Sequence, residues 1–98
     1  MSNKIGFIVV TVFHYPWDDV ASTSVSSLYP DYVAARYHLV KAVEESKEHG
    51  ALNTGGTFDA DEWDILDENN CWKAVNIDKP GRWLTFEIYE VSIIKETT

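Results

Sequence analysis

Apolar residues run almost unbroken from Ile5 to Phe13, and the run is β-branched and aromatic rather than strictly alternating. That pattern predicts a central strand whose two faces are both partly covered. Tyr15-Pro16-Trp17-Asp18-Asp19 ends it, because Pro16 cannot donate to a strand ladder and the paired acids favour a turn. Val20 to Leu28 is rich in Ser and Thr. It suits an exposed loop or, as we read it, a short second strand returning beside the first.

The period then changes to that of a helix. Val33, Tyr37, Val40 and Glu44 fall on one stripe, and Tyr32, Leu39 and Val43 widen the apolar face. Ser27 can cap the start, Pro30 is tolerated in the first turn, and Asp31 suits the positive end of the dipole. Glu44, Glu45, Lys47 and Glu48 mark a solvated end, and Gly50 stands where a left-handed C-cap belongs.

After the loop Leu52-Asn53-Thr54-Gly55-Gly56-Thr57 comes an acidic island, residues 58–68, with six carboxylates and no Lys or Arg. Asp59 and Glu62 have the spacing of a capping box, and Phe58 and Trp63 that of a hydrophobic staple. These signals predict a short helix or helical turn over residues 60–68, closed by Asn69-Asn70. Cys71 to Ile77 and Trp83 to Ile94 then read as the arms of a hairpin. Lys79-Pro80-Gly81-Arg82 between them fits a type II turn. Leu84, Phe86 and Ile88 share one parity, whereas Val91 and Ile93 share the other. A bulge near Tyr89-Glu90, or a change in which face is covered, would account for the switch.

These elements predict a single α+β domain over residues 1–98. It is an antiparallel sheet of about four strands, with the main helix packed on one face and the short acidic helix before the C-terminal hairpin. A chain of 98 residues buries roughly two-thirds of its unfolded surface, enough for one modest core. An exposed edge strand, Val20 to Leu28 or Trp83 to Ile94, would allow a homodimer.

Charge narrows the function. The formal net charge is −8, from 16 acids against 8 bases. Phosphate affinity comes mainly from Lys and Arg, so direct nucleic-acid binding is not expected, nor is attraction to an anionic membrane. A basic protein surface is a fitting partner, although such a charge also serves solubility alone. Cys71 is the single cysteine, which excludes an intrachain disulfide and suits a reducing compartment. The apolar run near the N-terminus is too short to span a bilayer and lacks a cleavage pattern, so a cytoplasmic protein is expected.

No residue pattern names a reaction, and no cofactor or metal is expected. Asp59-x-Asp61 begins like a calcium loop, but Trp63 stands at the next ligand position and no glycine follows at the sixth. His14 lies near Asp18 and Asp19, yet no third ligand stands at a recognisable spacing. His38 falls on the helix and His49 at its end. Cys71 adjoins an acidic stretch, which disfavours the thiolate, so it reads as a buried structural residue. Gly55-Gly56 lacks the Lys-Ser/Thr of a phosphate loop. Trp72, Trp83 and Tyr89 would suit base stacking only beside a positive groove.

The layout resembles small acidic accessory proteins encoded by bacteriophages. The likeness rests on the opening strand Phe7 to Phe13, the Ser26-Ser27 lead into a helix from Pro30 to Glu48, and the ending Trp83-x-x-Phe86-Glu87-Ile88-Tyr89-Glu90-Val91. The resemblance implies a protein that occupies a host enzyme, such as a defence nuclease or a polymerase subunit, sometimes as a nucleic-acid mimic. No functional residue carries over from it.

The expected function is therefore a non-enzymatic binding module that docks on a basic surface of a partner and inhibits or modulates it. Asp59, Asp61, Glu62, Trp63, Asp64, Asp67 and Glu68 form the first candidate contact set, and Trp17, Asp18 and Asp19 the second. The carboxylates would steer association and Trp63 would supply desolvated area. The island is also what a solvated helix face with capping acids looks like. The alternative function is an oligomeric domain that sequesters a small molecule or nucleotide, in a pocket of Trp and Tyr with Lys73, Arg82 or Arg36 nearby. An enzyme using His14 or His38 with nearby carboxylates is a third reading.

Overall fold

β1, Asn3–His14, lies inside the sheet, as its composition predicts. The computed structural model of the chain describes residues 3–53 and 55–94. β1 is followed by β2 (Ser22–Val25), the helix α1 (Tyr32–Glu48), a single 3₁₀ turn (Ala60–Glu62), β3 (Trp63–Asp67), β4 (Cys71–Asn76) and β5 (Trp83–Ile94). One antiparallel sheet of five strands results, in the order β2-β1-β5-β4-β3.

The fifth strand corrects the sequence reading. The acidic island is a 3₁₀ turn followed by edge strand β3, not a helix. Its capping signal is real but short-lived: the Asp59 carboxylate accepts from Asp61 N at 3.0 Å. Trp63 then turns extended, at φ −128° and ψ 140°, and the chain pairs with β4. The edges of the sheet are thus β2 and β3, while β4 covers β5 only from Trp83 to Glu87 and leaves its C-terminal half paired with β1 alone.

The helix ends also differ from expectation. Asp31 is the N-cap, accepting from Ala34 N at 2.8 Å, whereas Ser27 takes no part in it. His49 is the C-cap, and Gly50 does not adopt a positive φ. Glycine is needed there for space: a Cβ on Gly50 would stand 2.8 Å from Ser46 Cα. The hairpin turn is closed by Arg82 N donating to Lys79 O at 2.8 Å. It is not type II, because Gly81 lacks the positive φ that this turn requires at its third residue. Gly81 instead lets the β1–β2 loop approach, since a Cβ would meet Pro16 Cα at 3.1 Å.

The core lies between α1 and one sheet face. Ala35, Leu39 and Val43 of the helix are buried, together with Val9, Trp72, Ala74, Leu84, Phe86 and Ile88 of the sheet. The stripe of Val33, Tyr37 and Val40 points outward instead, with Val33 75% and Tyr37 63% exposed. β1 and β5 pair without a break from Asn3↔Ile94 to His14↔Trp83, so no bulge interrupts β5. The parity switch after Ile88 is a change of covered face, with Val91 opposite Gly6 on the side away from the helix. The shortest extent of the molecule is 20 Å, the depth of one sheet and one helix at about 10 Å each. Among the described residues, no second layer packs on the other sheet face.

Candidate functional site

Antiparallel pairing brings the end of β1, the start of β5, the end of β4 and the start of β3 to the same end of the sheet. The second candidate contact set and the first part of the acidic island, Asp59 to Trp63, both lie at that end. Arg82 joins them: its guanidinium carbon lies 5.9 Å from the Tyr15 ring centroid and 5.4 Å from that of Trp63. Its Nη2 donates to the Ala51 carbonyl at 2.7 Å. A planar cation suits this position, because it can satisfy ring faces and a carbonyl at once.

Trp17 is the exposed member of this cluster, at 72%. It stacks on Tyr15 with centroids 4.6 Å apart and planes 8° from parallel, and Tyr15 meets Phe13 edge-on. Asp18 and Asp19 beside it are exposed. The loop is held by His14, whose Nδ1 is 2.5 Å from the Gly81 carbonyl oxygen and whose Nε2 is 2.7 Å from that of Asp18. His14 also stacks on Trp83 at 5.6 Å. Its ring thus engages backbone rather than the neighbouring carboxylates. His38 Nδ1 hydrogen-bonds the Tyr29 hydroxyl at 2.6 Å.

Trp63 is only 4% exposed and packs in the core. It cannot be the contact residue that its place in the island suggested, because its ring lies under Arg82. The island itself is divided. Asp59, Asp61 and Glu62 are exposed at the aromatic end. Asp64 points to the uncovered sheet face, opposite Val75. Asp67 and Glu68 lie at the far end, tied to the helix. Arg36 Nη2 is 3.7 Å from Asp67 Oδ1, and Arg36 Nη1 donates to the Glu68 and Asn69 carbonyls at 3.3 Å each. Tyr32 adds a 2.6 Å bond to the Asn69 carbonyl.

The strand ladder adds a feature that side-chain pattern alone does not give. Ile77 N donates to Glu62 O, and Glu68 N to Cys71 O. Hydrogen-bonded pairs alternate in an antiparallel ladder, so residues 62, 64, 66 and 68 turn their backbone groups to β4. Ile65 and Asp67 turn theirs outward along the edge. The exposed acids of β3 are thus borne on a free strand edge, a place where charge also discourages indiscriminate pairing.

The aromatic platform Trp72, Trp83 and Tyr89 does not exist as one surface. Trp72 faces the helix, whereas Trp83 and Tyr89 face the other way. Lys73, Arg82 and Arg36 do not converge on a pocket either. Lys73 lines a shallow concavity of about 480 Å³ on the uncovered face with Trp83, Thr85 and Glu87, while Arg36 and Arg82 are engaged as described. Cys71 is half-buried on that same face rather than in the core. Burial pushes its thiol up, Glu87 and Glu68 push it further, and Lys73 opposes them. Among the described residues, no group of three or more His, Cys, Asp or Glu is placed to hold a metal ion. No helix among them is long and apolar enough to cross a membrane. No protein-family model, curated protein or solved structure matches the chain.

Proposed function

We propose that the protein is a non-enzymatic binding module that docks its acidic aromatic end on a basic surface of a partner protein and thereby inhibits or modulates that partner. The reading rests on one relationship. Arg82 lies over both Tyr15 and Trp63, holding two acidic segments that are distant in sequence at one end of the sheet. Trp17, stacked and exposed, takes the anchoring role first assigned to Trp63. Asp18 and Asp19 beside it, with Asp59, Asp61 and Glu62 on the other side of Arg82, would supply the steering charge, and Asp64, Asp67 and Glu68 extend along the β3 edge. A rigid aromatic anchor with a charged rim is the anatomy of a binding hot spot.

The test compares equal charge changes at two places. One variant carries Asp18→Asn, Asp19→Asn and Asp61→Asn, and leaves the capping Asp59 intact. Its control carries Glu44→Gln, Glu45→Gln and Glu90→Gln, exposed acids outside both contact sets. Capture from a lysate at low and high salt should yield a basic protein with the wild type and the control, released at high salt. The Asp variant and Trp17→Ala should lose it. Equal capture by the two charge variants, or capture undiminished in Trp17→Ala, would show that the aromatic end is not the docking site.

A further inference from the structure

Among the described residues, nothing packs on the sheet face opposite α1, whose centre is largely apolar. Ile8, Val10 and Val12 of β1 occupy it beside Trp83 of β5 and Val75 of β4. Val25 at its flank is 60% exposed. A soluble surface seldom leaves so continuous an apolar area without an occupant.

Charge selects that occupant. The chain carries −8 overall, so contact through the helix or the acidic end would set carboxylates against carboxylates. The middle of the uncovered face differs. Its described charged side chains are Lys73 and Glu87, one of each sign, with Asp64 out on edge strand β3. Lys73 pairs with Thr85, and Glu87 is two residues further along β5, so the two charges are diagonal neighbours. A two-fold axis lying in the face midway between them sets Lys73 against the partner's Glu87 and Glu87 against the partner's Lys73. That is the self-complementarity of an isologous interface. The Tyr89 hydroxyl donates to the Glu87 carboxylate and holds it in place. Thr85 between the charges is only 9% exposed, so no solvated side chain stands in the way.

The area suffices. With strands of 12, 4, 5, 6 and 12 residues, a rise of ~3.3 Å and a spacing of ~4.8 Å give roughly 600 Å² in plan. Side-chain relief raises the accessible surface above that figure, toward the ~800 Å² per partner of an ordinary stable interface. The geometry points to a homodimer closed face to face over this sheet, with its axis between Lys73 and Glu87. The proposal is independent of the docking role of the aromatic end.

Sedimentation equilibrium of the full chain tests it. The wild type should sediment at twice the mass of the chain. Lys73→Glu and Glu87→Lys should each weaken the dimer by about tenfold or more, and the double exchange should restore it, because close interfacial charge pairs carry that much coupling. A monomer at every concentration would overturn the proposal and leave the face to a different protein. So would a dimer indifferent to the single exchanges, or a double exchange that restores nothing. A second measurement needs no variant. Cys71 lies on this face directly opposite Glu87, so its maleimide labelling should quicken as the wild type is diluted. A rate independent of concentration would equally overturn the proposal.

Discussion

The guanidinium of Arg82 stands over the ring of Trp63, 5.4 Å from its centroid, and the same cation reaches Tyr15 on the far side of the turn. Three segments therefore depend on one side chain: the β1–β2 loop, the start of β3 and, through the Ala51 carbonyl, the chain after α1. Each cation–ring contact contributes about 0.5–1 kcal/mol and a charged hydrogen bond about 1.5–3 kcal/mol. Arg82→Ala should lower the unfolding free energy by about 2–3 kcal/mol in urea titration. Arg82→Lys should recover less than half of that, because an ammonium cannot lie flat on two rings and still reach the carbonyl. A loss under about 0.5 kcal/mol in Arg82→Ala, the level of an ordinary surface change, would mean the contacts do not organise this end.

Trp17 behaves oppositely. Its ring touches Tyr15 and is otherwise in solvent. Trp17→Ala should cost no more than about 1 kcal/mol of stability, the worth of one aromatic pair. Affinity for the partner should fall by about 30-fold or more, as for a truncated hot-spot aromatic. Calorimetric titration against the captured partner, beside thermal melting of the variant, separates the two effects. An affinity within about twofold of the wild type, a difference of ~0.4 kcal/mol, would remove Trp17 as the anchor.

Most of the fold is legible in the chain because most elements carry their own period or punctuation. The β-branched run of β1, the Ser/Thr-rich β2, the helical stretch and the hairpin arms all form near their expected bounds. The misreadings occur where local signals are ambiguous and tertiary contacts decide. In α1, Val33, Tyr37 and Val40 make as good an apolar stripe as Ala35, Leu39 and Val43. The sheet accepts the stripe that includes the small Ala35, which lets the helix approach. At the island, Asp59 does start a helical turn, but β4 offers a ladder that Trp63 to Asp67 joins. The pairing is local, a hairpin closed over Asn69-Asn70, but the capping signal at Asp59 favours a helical reading of the same residues. For the site, the carboxylates and Trp17 could be named from sequence. That Trp63 is buried beneath Arg82 could not, because the contact joins the start of β3 to the turn between β4 and β5.

The helix cap gives a direct comparison of a residue that acts with one that only looks suitable. Asp31 accepts from Ala34 N at 2.8 Å, so Asp31→Ala leaves that donor without its side-chain partner and should cost about 1 kcal/mol. Ser27 lies outside the cap, and Ser27→Ala should change stability by less than about 0.5 kcal/mol. Denaturant midpoints of the two variants, measured side by side, decide this. Equal losses would return the cap to Ser27.

Glu87 helps hold protons on two neighbours of the uncovered face. Burial first, then Glu87 and Glu68, raise the Cys71 thiol above its ordinary 9.0. The Glu87 hydrogen bond, then its charge, raises the Tyr89 phenol above 10.0. Both groups hold their protons more tightly in the folded chain than in the unfolded one. The stability linked to them is complete below the ordinary values and is lost as pH rises through the raised ones. For Cys71 that window opens at 9.0, and for Tyr89 at 10.0. Cys71 is the more sheltered of the two and should account for most of the loss, since solvent screens the exposed Tyr89. Glu87→Gln removes the leading cause at Tyr89 and the second at Cys71, so it should flatten the decline. Lys73→Gln removes the charge that favours the thiolate and should steepen it. The measurement is the urea midpoint from neutral pH to above the ordinary tyrosine value. It is made at a fixed low protein concentration, so that dimer dissociation does not enter. Superimposable alkaline declines in the wild type and both variants would show that neither Glu87 nor Lys73 sets the proton affinity of this face.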